Sequence, residues 1–137
     1  MKIKEMIYQK DRKIELLYSD VYRGYKFYIM NLGTHPTAYV EIPKGHPLYE
    51  VDYNDIYDDI DVHGGLTYSS NHLHISNDEE LTGWFIGWDY AHCDDYAGYE
   101  IGMPMSICVG GKKWTTEEID EDCKDVINQI MDIYGGK

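Results

Sequence analysis

Asp89, His92 and Asp95 follow one another at intervals of three in the run Gly87-Trp88-Asp89-Tyr90-Ala91-His92-Cys93-Asp94-Asp95. A helical turn would bring all three to one side, and an irregular loop would still keep them close. Imidazole with carboxylates is a donor set for Zn, Mn or Fe, and a second histidine would complete a 2-His-1-carboxylate site. His63, beside Gly64 and Gly65, is the candidate for that second ligand. The expected metal set is therefore His63, Asp89, His92 and Asp95, with His46 as a further donor. The competing reading gives the same residues ordinary duties: Asp89 caps a turn, His92 is a hydrogen-bonded structural residue and Asp95 is solvated. Cys93 is expected to be inert, because Asp94 and Asp95 beside it would raise its thiol pKa. No catalytic residue is assigned, and an enzymatic role stays open as metal-dependent hydrolysis or metal-assisted ligand binding.

A second chemistry lies in the charge. The chain has 137 residues with 12 Lys plus Arg against 25 Asp plus Glu, a formal charge of -13. No Lys or Arg occurs from Gly45 to Gly111, and the 13 acids of that stretch equal the whole net charge, since the flanks cancel. Such a balance excludes direct binding to a nucleic-acid backbone, where counterion release would run the wrong way. It also disfavours a sponge for a signalling nucleotide. Tyr49, Asp52, Tyr53, Asp55, Tyr57, Asp58 and Asp59 offer aromatic anchors among negative charges, which suits a basic protein groove. The paired glycines of His63-Gly64-Gly65-Leu66-Thr67-Tyr68-Ser69 let backbone amides approach a ligand, but a phosphate loop would normally add a cation.

The elements that must carry these residues read as one domain over 1–137. Lys13–Tyr18, Gly24–Asn31 and Thr37–Ile42 alternate as strands and are too closely spaced for a crossover helix, so an antiparallel meander is expected. Leu48–Asp61 reads equally as a short acidic helix or an ordered loop. Val62–Tyr68 is expected to be a strand bulged at its glycines, Ser69–Gly83 a polar mobile loop, Trp84–Tyr90 a central strand and Ile101–Val109 a further strand. Thr115 and Glu118 form a capping box, with Trp114 placed to staple onto Ile119. Ile119, Cys123, Val126, Ile127, Ile130 and Tyr134 then keep helical spacing to Gly135 and Gly136. The fold class is α+β, a mainly antiparallel sheet covered on one face by this amphipathic helix. No apolar run spans a bilayer and no signal-peptide core is visible, so no membrane association and a cytoplasmic location are expected. Three cysteines without a close-spaced pair fit neither a disulfide framework nor a Cys-rich zinc site.

Gly45-His46-Pro47, then Val62-His63-Gly64-Gly65-Leu66-Thr67-Tyr68-Ser69, then Trp84-x-x-Gly87-Trp88-Asp89-x-Ala91-His92-x-x-Asp95 resemble, in that order, a family of small proteins encoded by bacteriophages and prophages. The resemblance covers about residues 40–97 and the C-terminal helix. It implies an accessory gene product active in the host cytoplasm. Acidic accessory proteins of phages are often inhibitors of host defence, anti-CRISPR proteins among them, so the implied role is an acidic nucleic-acid mimic bound to a basic host protein.

Overall fold

The computed structural model describes residues 1–92, 95–96 and 111–135. Its elements run β1 (Glu15–Tyr22), β2 (Tyr25–Asn31), β3 (Pro36–Glu41), α1 (Tyr53–Ile56), β4 (Tyr68–His74), β5 (Glu80–Asp89) and α2 (Thr116–Tyr134). The five strands form one antiparallel sheet in the order β1-β2-β3-β5-β4. With α2 packed on β1, β2 and β3, the fold is α+β.

The meander follows from alternation and turn chemistry. Arg23 and Gly24 both have positive φ, 51° and 88°, as the two central residues of a type I′ hairpin turn require, and Tyr22 pairs with Tyr25 across it. Successive side chains on β2 then point to opposite faces. Tyr25, Phe27 and Ile29 join Ala38, Val40, Ile86 and Trp88 in the core beneath α2, while Met30 joins Tyr39, Leu73 and Phe85 in a smaller cluster on the other face. From α2 the core receives Ile119, Cys123, Val126, Ile127 and Ile130, all fully buried. Each large aliphatic among them contributes about 1.5–3 kcal/mol of burial. Cys123 is thereby a packing residue, its thiol pKa pushed up by burial; Cys93, Cys108 and the expected strand at 101–109 lie outside the described residues.

Both ends of α2 form as its sequence predicts. Thr115 is the N-cap, its hydroxyl accepting from the Glu118 amide while the Glu118 carboxylate accepts from the Thr115 amide, and Gly135 closes the helix at φ 89°. The N-terminal segment is tied to the same end: Thr116 Oγ1 donates to the Lys4 carbonyl at 2.6 Å and Tyr8 Oη to that of Trp114 at 2.9 Å.

Two expectations are corrected. Ser69–Gly83 is no loop but most of a hairpin, with His72 opposite Thr82, Leu73 opposite Leu81 and His74 opposite Glu80. A register shift between Ser70 and His72 breaks the alternation, so Leu73 and Ile75 fall out of phase with Tyr68 in the sequence while sharing its face in space. Val62–Tyr68 is not a bulged strand until its last residue. It begins as a turn closed by the Gly65 amide on the Val62 carbonyl at 2.8 Å. Gly64 takes φ 70° at the third position, where a type II turn needs it.

Candidate functional site

That turn sets His63 against Asp95. The Asp95 side chain is 1% exposed and collects three groups: His63 Nε2 at 2.8 Å from both carboxylate oxygens, Trp114 Nε1 at 2.8 Å and the His92 amide at 3.0 Å. A carboxylate accepts, so His63 donates to it through Nε2, and in the neutral ring the lone pair is then on Nδ1. The His63 ring is fixed on both sides, stacked on Tyr90 at 5.1 Å and 6° and tilted against Trp114 at 4.8 Å. Tyr90 is anchored in turn: Trp88 Nε1 donates to its hydroxyl at 2.9 Å, and that hydroxyl donates to Asp122 of α2 at 2.6 Å. Burial pushes the Asp122 carboxyl above its ordinary pKa, and burial together with Asp122 pushes the Tyr90 phenol up strongly.

His92 and Asp89 form the other half of the site. Asp89 accepts from the Ala91 amide and the Thr67 hydroxyl, each at 3.1 Å, which makes it the turn cap that sequence reading offered as one alternative. His92 Nε2 is 3.5 Å from Asp89 Oδ1 and makes no hydrogen bond among the described residues. It lies over Gly64, where any Cβ would collide with the imidazole. The glycine is required twice over, by its φ and by this ring.

His63, Asp89, His92 and Asp95 thus come together as two His-carboxylate pairs, with the His63 and His92 rings 5.5 Å apart. Asp95 is buried, not solvated, and serves as the partner that orients a histidine, in the way carboxylates support metal-binding or proton-transferring imidazoles. His46 is elsewhere, buried with Nδ1 accepting from the Leu48 amide at 3.0 Å and Nε2 at 2.8 Å from Tyr25 Oη. Trp114, Tyr90 and Asp122 complete the site, and sequence reading did not place them there. Trp114 was expected at α2's N-terminus for its apolar contact alone.

The acidic surface is also rearranged. Asp52 caps α1, and Tyr49 and Tyr53 are half-buried against the main core. Tyr57, 45% exposed, is the one outward ring of the three, its hydroxyl end resting over Gly65. Asp55, Asp58, Asp59 and Asp61 are exposed, and the chain that carries them is fastened to α2. Asp59 accepts from Tyr134 Oη at 2.8 Å, and Gln129 bonds the Asp61 backbone. Burial, then the Asp59 carboxylate, lift the Tyr134 phenol to about 12.

No family model matches the chain, and no curated protein or solved structure is significantly similar to it. Among the described residues no helix is long and apolar enough to cross a membrane.

Proposed function

We propose that the protein acts by binding, its acidic face occupying a basic groove of a nucleic-acid-handling protein in place of phosphates. One observation carries this reading: Gln129 Nε2 reaches both the Asp61 carbonyl at 2.6 Å and the Asp125 carboxylate at 2.9 Å. The loop acids Asp55, Asp58, Asp59 and Asp61 are thereby joined to Asp125 and Asp132, the exposed acids that α2 presents four residues before and three after Gln129. Lys124 does not interrupt this face; it pairs with Asp120 at 3.1 Å and sits over Tyr22 on the β1 side. A single-sign surface of this kind steers a basic partner and sets its orientation. Tyr57 supplies an aromatic anchor within it. The resemblance to phage accessory proteins puts host defence proteins, CRISPR effectors included, first among the partners to test. Changing Asp55, Asp58, Asp61 and Asp132 together to Asn removes charge from side chains outside the hydrogen bonds that hold the face. Partner binding should then weaken, and wild-type binding should fall as salt rises, since exposed charges are screened within about 8 Å at physiological ionic strength.

A second reading, metal-dependent hydrolysis or ligand binding, is favoured by the buried Asp95 beneath His63. In it His63, His92 and Asp89 would be the donors for Zn, Mn or Fe and Asp95 would orient His63; no three donor atoms of this set lie within 4.8 Å of one another, so an ion would have to draw the two pairs together. Native protein assayed for bound metal, with His63→Ala as the control, separates it from the first. Metal present in the wild type and lost in that variant would favour catalysis.

A further inference from the structure

The β4–β5 hairpin carries a second group of donors, remote in sequence from the His63 site. His72 and His74 are two apart on β4 and so point to the same face; Glu80 faces His74 directly across the ladder. One donor atom from each of the three lies within 4.8 Å of the others, and among the described residues this is the one trio of His, Cys or carboxylate groups so placed. We propose that His72, His74 and Glu80 bind a divalent transition-metal ion, Zn²⁺ or a similar borderline cation, with its remaining positions open to water or an added ligand.

Three features make the trio more than a chance meeting of surface groups. Asn71 Oδ1 at 3.0 Å and Ser70 Oγ at 3.2 Å flank His72 Nδ1 and fix the ring. A proton on Nδ1 toward Asn71 leaves Nε2 in the lone-pair form that ligates. His74 Nε2 already faces Glu80 Oε2 at 3.2 Å, and the His72 and His74 rings are 5.7 Å apart. Beneath them the backbone is held: Leu73 is buried in the second cluster with Leu81 packed beside it, and the connecting turn is closed by the Ile75 amide on the Glu79 carbonyl at 3.1 Å. Donors on a paired hairpin lose little freedom when an ion binds. Two imidazoles and one carboxylate with open positions is a recognised transition-metal arrangement.

The test is calorimetric titration of the full chain with ZnCl₂ in a non-coordinating buffer, repeated on His72→Ala, His74→Ala, Glu80→Gln and His63→Ala. The expected result is saturable binding in the wild type, weakened at least about tenfold by each change in the trio, with this binding event still present in His63→Ala; even loss of a residue that merely supports a ligand typically costs about 10–100-fold. At about 100 times the dissociation constant, Zn²⁺ should raise the wild-type melting temperature by about 5 °C or more, and this rise should vanish in His74→Ala. Absence of saturable binding, or binding that survives the His72→Ala/His74→Ala double change, overturns the proposal. So does binding lost in His63→Ala, which would move the ion to the other site.

Discussion

Gln129 holds Asp61 by both groups of its backbone: the Asp61 amide donates to Gln129 Oε1 at 2.7 Å and the Asp61 carbonyl accepts from Gln129 Nε2 at 2.6 Å. A side-chain amide here imitates a strand partner and fixes the acidic loop at the flank of α2. Each such bond is worth about 1 kcal/mol net. Gln129→Ala should therefore lower stability by about 1–2 kcal/mol in urea denaturation and speed hydrogen exchange at the Asp61 amide, leaving exchange in β2 and β3 near its wild-type pattern.

Asp95 offers a stronger dependence. Trp114 and the His92 backbone donate to it along with His63, so Asp95→Asn would set an amide NH₂ against N–H groups and unpair part of a buried network. A loss of about 2–4 kcal/mol is expected, from charge-assisted bonds of about 1.5–3 kcal/mol each, partly replaced. Chemical denaturation measures the loss, and a change in native Trp fluorescence that disappears in a Trp114→Phe background would place it at Trp114.

His46 makes the fold acid-sensitive. Burial lowers its pKa from the ordinary 6.5, and its Nδ1 already accepts the Leu48 amide, so protonation there would break a bond. Above pH 6.5 both folded and unfolded chains hold it neutral; as pH falls, the unfolded chain takes up the proton first, and stability is lost. His35, also lowered by burial, acts in the same direction. Urea midpoints at pH 7.5 and 5.5 should fall less steeply in His46→Asn than in the wild type, even though the variant is weaker at pH 7.5. Equal slopes would exclude His46 as a source.

Periodicity reveals those parts of the fold in which local pattern and burial agree. Tyr25, Phe27 and Ile29 alternate without a break, and Thr115 with Glu118 marks the start of α2, so the meander and the helix are legible in the chain. The β4–β5 hairpin is not, because the irregularity after Ser70 shifts the phase of Leu73, and Val62, Leu66 and Tyr68 imitate a strand that the Gly64 turn forbids. The nearness of Asp89, His92 and Asp95 can be read from their spacing. That Trp114 and His63 converge on Asp95 cannot, since those contacts join positions 19 and 32 residues apart. Nor does the cluster of loop aspartates disclose that Gln129 continues it onto α2.

DNA competition on captured partners decides whether the acidic face stands in for phosphates. Immobilised wild-type protein and the Asp55/Asp58/Asp61/Asp132→Asn variant would be exposed to bacterial lysate at low salt, then eluted with duplex DNA and the eluates quantified by mass spectrometry. Phosphate mimicry requires a nucleic-acid-handling protein that the wild type retains, that DNA or raised salt displaces, and that the variant fails to hold. The same proteins retained by wild type and variant alike, or none released by DNA, would contradict it.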